Sequence, residues 1–283
     1  MAKHPSVAHI GPRRRRIRLL RRVALISAGV CVVKIVVNRL GFELLSVNPL
    51  FSALVASTVF LISFLLSGVL TDYKESEKIP GQIASALETL DLEIRAITVY
   101  NPKAKIDASI HAVVGLGWVI QAWLHEKINT QDVYAGHRQT HEQVVQAATF
   151  LSSSTLRGRL MGEMATLLNL INRIEVIRET DFVPLVSWMA DIGAFFLSAG
   201  LVFARADSLW ESCFFLFVIT FLLIFLLRLI EDIDNPFDYV EQKSAEDVSL
   251  DVLNLALKRL QDALPDQDAP GGSGLASQVD STV

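Results

Sequence analysis

Apolar residues gather in long uncharged runs near both ends of this chain and recur with a helical rhythm in between. From Phe51 to Leu70 twenty residues pass without a charge, enough at about 1.5 Å per residue to cross a hydrocarbon core roughly 30 Å thick. Ser212 to Leu227 adds sixteen uncharged residues between Glu211 and Arg228, and reaches spanning length with Trp210, Leu229 and Ile230. Val23 to Asn38, interrupted by Lys34, and Phe182 to Ala204, interrupted by Asp191, are two further candidate spans. The links at 39–50 and 205–209 are short, which favours antiparallel neighbours. The pattern predicts an all-α integral membrane protein with four transmembrane helices in two pairs.

Between the pairs, the charge-rich stretch reads as helices standing in water. Ile83, Leu87, Leu90, Ile94 and Ile97 recur at spacings of three and four, the mark of one buried helix face, and Asn101-Pro102 ends that helix. Residues 106–125 are apolar enough to resemble a fifth span. His111, Gly115 and Gly117 interrupt them, however, and Asp107 and Glu126 bracket them, so a helix buried in a water-facing bundle is expected. Two more helices are expected near 131–151 and 155–179. No strand-period alternation, internal repeat or glycine-rich phosphate loop stands out. After the last span, Asn235-Pro236 should stop the helix, because proline cannot continue the hydrogen-bond ladder. An amphipathic helix follows, capped by Ser249, with Leu250, Leu253, Leu257 and Leu260 on one face. From Pro265 onward the composition is that of a disordered tail. The expected organisation is a basic N-terminus at 1–22, spans one and two within 23–71, a cytoplasmic helical region at 72–181 and spans three and four within 182–230. An acidic segment with its helix at 231–264 and the tail at 265–283 complete it.

Composition agrees: 51% of the 283 residues are hydrophobic and mean hydropathy is +0.40, which disfavours a plain soluble enzyme. Charge adds orientation. Ten bases and no acid lie in the first 40 residues, leaving 16 bases against 30 acids in the rest, so the net −4 is a cancellation. Arginines directly before the first span place it on the cytoplasmic side; with four spans, both termini and the middle region are then cytoplasmic. The same arginines argue for anionic lipid contact, and no nucleic-acid partner is expected. Lys34 breaks the apolar run that a cleaved signal peptide would need, so a retained anchor is expected. Cys31 and Cys213 both lie in apolar runs and offer neither a disulfide framework nor a thiolate metal site.

Candidate chemistry is sparse. Lys34 and Asp191 are charges within spans, where a charge normally faces protein or water and seeks a partner; the two could meet at similar depth, the alternative being that Lys34 snorkels to the interface. His137 and His141 lie four apart, but Arg138 stands where a zinc protease needs glutamate, and a solvated helix face is the simpler reading. No catalytic cluster assembles, so no enzyme activity, metal or cofactor is expected. Ser52, Ser57, Thr58, Ser63 and Ser67 give the second span a hydroxyl content that suits a pore or a helix interface better than lipid.

The layout of two spans, a helical region, two spans, an acidic Pro-Phe segment and an amphipathic helix resembles the bestrophin family and its bacterial relatives. GVLTDYKESEKIP leaving the second span and IEDIDNPFDY leaving the fourth carry the local likeness. In the second motif the matching positions are Asp232, Asp234, Asn235, Pro236, Phe237 and Asp238. Departures are the absence of paired tryptophans after the second span, Asp72 and Tyr73 standing near there, and a thin set of acids where animal members hold calcium. The resemblance implies an anion channel, passing ions such as chloride, that assembles as a homopentamer in the plasma (inner) membrane. It places the pore neck on the second span, at Val55, Val59 and Ser63. A one-residue slip moves that stripe to Ala56, Phe60 and Phe64. A membrane-anchored scaffold or sensor, whose cytoplasmic helices bind a partner protein, is the alternative.

Overall fold

The computed structural model describes residues 12–46, 48–179, 184–205, 208–234, 236–237 and 248–264. Its helices are α1 (Pro12–Leu40), α2 (Pro49–Ser76), α3 (Ile79–Tyr100), α4 (Asp107–Leu124), α5 (Thr130–Ala148), α6 (Ser154–Glu179), α7 (Pro184–Phe203), α8 (Leu209–Asp234) and α9 (Asp251–Asp262). They divide into two compact units: α1, α2 as far as Tyr73, α7 and α8 in one, and α3 to α6 with α9 in the other. The expected tail from 265 onward lies outside the described residues.

In the first unit, α1, α2 and α8 are long and apolar enough to cross a membrane, and α7 contributes a shorter apolar stretch, Ser187–Phe203. α1 starts earlier than the apolar run suggested: its helix begins at Pro12, directly before the arginine run. α8 ends at Asp234, just before Asn235-Pro236, as proline geometry requires. The unit's core joins Ile62, Leu65 and Val69 of α2 to Ala190, Ala194 and Leu197 of α7 and to Leu223, Ile230 and Ile233 of α8. Small residues on α7 allow this approach. A Cβ at Gly193 would meet Thr58 Cγ2 at 3.4 Å, and one at Gly200 would meet Phe51 Cε2 at 2.9 Å.

One feature of this unit had no sequence signal. The loop ends carry a two-residue parallel pairing, β1 (Leu45–Ser46) with β2 (Ala204–Arg205), in which Leu45 faces Ala204 and Ser46 faces Arg205. Strands this short show no alternation to detect.

The second unit is a helical bundle with a mainly aliphatic centre. Ile83, Leu87, Leu90, Ile94 and Ile97 of α3 are all fully buried, each burial stabilising by about 1.5–3 kcal/mol. Residues 106–125 become α4, whose Ile110, Val113, Val114 and Ile120 are buried and which packs on α5, α3 and α9 within this unit. Gly117 makes room there, since a Cβ would meet Leu87 Cδ1 at 3.0 Å and crowd Leu257 Cδ2 still closer. α9 buries Leu253, Ala256, Leu257 and Leu260. At its start the Ser249 hydroxyl accepts the Asp251 N–H at 3.2 Å. Asn129 and Asp132 form a reciprocal capping box at the start of α5, satisfying two backbone donors that would otherwise lack partners.

Candidate functional site

The face of α2 turned away from its own unit is the first candidate. Thr58, Ile62, Leu65 and Val69 are buried and define the inner line of the helix. At about 100° per residue, the opposite line runs through Ala53, Ala56, Phe60, Ser63, Phe64 and Ser67, all exposed. Phe60 is 73% exposed and Phe64 62%, against 45% for Val59. Val55 is half-buried and packs against the core cluster. Of the anticipated stripe, Val59 and Ser63 are therefore free, while Val55 turns inward. The line of greatest exposure follows the alternative register of Ala56, Phe60 and Phe64. Two hydroxyls on this face are spent locally: the Ser63 hydroxyl donates to the Val59 carbonyl at 2.7 Å, and the Thr71 hydroxyl donates to the Ser67 backbone carbonyl at 2.8 Å. Each spends its proton on its own helix and keeps lone pairs outward. At the head of α2 the Asn48 side chain accepts the Phe51 N–H at 3.0 Å, and no acid occupies the first turn.

The second candidate is Lys34. Its side chain is wholly buried, which excludes snorkelling, and its ammonium bonds Glu43 Oε1 at 2.7 Å. It also donates to the Ala204 carbonyl. The anticipated meeting with Asp191 does not occur. Asp191 is exposed and lies near the start of α7, whereas Lys34 is bonded to Ala204, just past the other end of that helix. The physical reason is local: Glu43, nine residues on, folds back from the α1–α2 link to neutralise the cation. The Lys34 hydrogen bond holds the Glu43 carboxyl below the usual carboxylate range. The charge of this lysine is balanced by Glu43, and a second of its donors is taken by a carbonyl. Its role is to fasten both loops at this end of the unit, beside the β1–β2 pairing.

The Pro-Phe segment is partly visible. Phe237 is fully buried and Pro236 is buried beside it in sequence, while Asp232 and Asp234 are half-buried; Asn235 and Asp238 lie outside the described residues. In the bundle, the histidine pair differs from the solvated face expected of it. His137 is buried, and its Nε2 lies 2.8 Å from the Met164 carbonyl. A carbonyl only accepts, so Nε2 carries the proton and donates. Desolvation lowers the affinity of His137 for a second proton. His141 stacks against it at 6.4 Å between ring centroids. Among the described residues no group of three or more His, Cys, Asp or Glu is arranged to hold a metal.

The α4–α5 corner holds a site that periodicity could not mark. Glu126 has φ of 54°, the left-handed conformation that glycine usually supplies at this place after a helix. The N–H groups of Glu126 and Lys127 close back on Trp123 and Ala122. Glu126 pairs at 2.8 Å with Arg178, whose guanidinium lies 5.3 Å over the Trp123 ring. These three residues and Glu175 line an open cleft of about 360 Å³.

No family model matches the sequence, and no curated protein matches it. The backbone does find counterparts. It is similar to a bacterial bestrophin homologue from Klebsiella pneumoniae, with a TM-score of 0.69 and 18% identity over 87% of this chain and 97% of that one. A point variant of a bestrophin homologue from the same organism gives 0.70 and 19% over 88% and 99%. A further membrane-protein variant gives 0.71 and 18% over 86% and 97%. The chain thus has a bestrophin-like fold, that of an all-α integral membrane protein; the likeness lies in the arrangement of helices and not in the residues.

Proposed function

We propose that the protein is an anion channel, a homopentamer whose single pore is lined by α2. The observation that carries this reading is the exposed face of α2. Ala56, Phe60, Ser63 and Ser67 stand opposite the core, and a fold of this kind in the solved relatives belongs to proteins described as bestrophin homologues. Five copies of Phe60 around an axis form an apolar ring, and such constrictions gate by wetting and dewetting. Serine oxygens one turn below offer polar contacts to a hydrated ion. With Lys34 neutralised by Glu43, attraction for anions in so acidic a chain rests on local features of the pore: the acid-free amino end of α2 and the absence of carboxylates along its exposed face from Ser52 to Thr71.

In this reading α1, α2, α7 and α8 all span the bilayer, α7 with its 20 residues reaching about 30 Å. The arginine run fixes the N-terminus and the helical bundle on the cytoplasmic side of the plasma membrane. Purified protein in a planar bilayer tests it. Chloride current should appear, and Phe60→Ala should raise it several-fold by opening the ring. A folded oligomer that passes no current, with or without that substitution, would leave the spans as an anchor for a partner-binding bundle.

A further inference from the structure

We propose that Cys31 and Cys213 form a redox-sensitive pair that closes to a disulfide and ties α1 to α8. Their places in two apolar runs, 182 residues apart, hide the relation in the sequence. In the fold the Cys31 thiol donates to the Cys213 backbone carbonyl at 3.5 Å. A carbonyl oxygen lies about 3 Å from the Cβ of its own residue by covalent geometry, so the Cys31 sulfur lies at most about 6.5 Å from the Cys213 Cβ. A disulfide needs Cβ atoms about 3.5–4.5 Å apart; rotation about the two Cα–Cβ bonds turns the sulfurs toward each other, and a shift of α1 against α8 closes the separation of the Cβ atoms. Both cysteines are free and half-buried, and α1 and α8 are the most closely packed helix pair in their unit.

The surroundings hold the pair in place. Cys31 packs against the cluster of Val37, Val202 and Leu216, and one turn further along α1 the bonds from Lys34 to Glu43 and Ala204 fasten the loops. Cys213 is four residues into α8, about 6 Å from its loop end, so the pair lies toward one end of the span. A small uncharged oxidant of the hydroperoxide class reaches such a depth. With hydrogen peroxide the Cys31 sulfur attacks one peroxide oxygen, breaking the O–O bond and giving a sulfenic acid and water. The Cys213 sulfur then attacks the sulfenic sulfur, forming the S–S bond and expelling a second water. Two thiols are oxidised by two electrons, one peroxide is reduced, and both thiol protons leave in the water formed.

The test uses full-length protein in lipid nanodiscs exposed to hydrogen peroxide, quenched, then unfolded in detergent with N-ethylmaleimide and weighed intact. Reduced protein should carry two maleimide adducts. Oxidised protein should carry none, run as a monomer without reductant, yield a peptide joining Cys31 to Cys213, and regain both adducts after dithiothreitol. Its melting midpoint should rise on oxidation and fall back on reduction. Cys31→Ser and Cys213→Ser should each keep one adduct and show no such shift. Two adducts in peroxide-treated wild type, or covalent dimers in place of the internal link, would overturn the proposal. The wild-type peptide map decides it even where a variant folds poorly, and a silent bilayer recording has no bearing on it.

Discussion

The two units differ in what they expose more than in what they bury. In the bundle the interior is mainly aliphatic, with Ile83, Leu87, Leu90 and Ile94 fully buried near a few polar groups such as Ser109, His137 and Thr140, while charges pair on the surface, as Arg259 does with Glu88 and Arg173 with Glu75. In the span unit the exterior carries Leu25, Ile26, Phe60, Phe195, Phe196, Phe214 and Phe215, and the interior combines Ile62, Leu65 and Leu223 with Ser27, Lys34, Thr58 and Thr220. Water arranged the first: burying apolar area is what drives it together. Where hydrocarbon surrounds a helix that drive vanishes, and small residues, hydroxyls and a paired lysine do the joining. Large apolar side chains therefore mark the core of one unit and both the core and the surface of the other.

The largest effect is expected from removing Lys34, the one fully buried charge among the described residues of the span unit. Lys34→Ala strips Glu43 and the Ala204 carbonyl of their shared donor, and breaking a buried pair costs about 3–5 kcal/mol. The variant should show a large drop in melting midpoint in detergent. Glu43→Gln should also cost stability, since it leaves the wholly buried ammonium without its counter-charge, although an amide oxygen still accepts from it. Equal tolerance of both changes would show that the unit does not depend on its polar interior.

In the bundle the matching perturbation is steric. Gly117→Val forces methyl groups into Leu257 and Leu87, and overpacking of this kind costs about 1–3 kcal/mol. Denaturant unfolding followed through Trp118 and Trp123, both on α4, should report the loss. If the midpoint holds, the bundle's core is looser than its burial indicates.

Proton uptake separates the units without any change of size. Burial lowers the folded-state affinity of His137 for a proton, so the unfolded chain takes it up first. Stability from the neutral, hydrogen-bonded ring is then fully present above the unfolded value, about 6.5, and declines as pH falls from there toward the lower folded value. Melting of the bundle should weaken across that interval, and His137→Gln should flatten the dependence. His125, shifted the same way by burial, contributes in the same direction and is separated by His125→Gln.

How much of this was legible follows from the same contrast. The helices of the bundle were readable because a 3.6-residue rhythm survives only where one face meets water: Ile83 to Ile97 were placed correctly on that ground alone. The uncharged runs of α2 and α8 were readable by length. What escaped were contacts joining distant segments through single atoms. Glu43 in a link, the Ala204 carbonyl and the approach of Cys31 to Cys213 leave no periodic trace. The outward line of α2 was half legible: Val59 and Ser63 are exposed, but with an apolar run on all sides nothing in the sequence could show that Val55 turns inward and Phe60 outward.

The smallest expected effect concerns Glu126, where two terms nearly cancel. Its left-handed backbone costs a side-chain residue roughly 1 kcal/mol relative to glycine. Its carboxylate returns something by pairing with Arg178, but an exposed partner makes such pairs worth about 0–1 kcal/mol. Glu126→Gly should therefore leave unfolding within about 0.5 kcal/mol of wild type, strain relieved and pair lost together. Glu126→Ala keeps the strain and loses the pair, so it should be the less stable of the two by roughly 1 kcal/mol. If glycine instead destabilises as much as alanine, the Arg178 pairing outweighs the backbone, and the α4–α5 corner is held by its charges in a unit otherwise held by its aliphatic core.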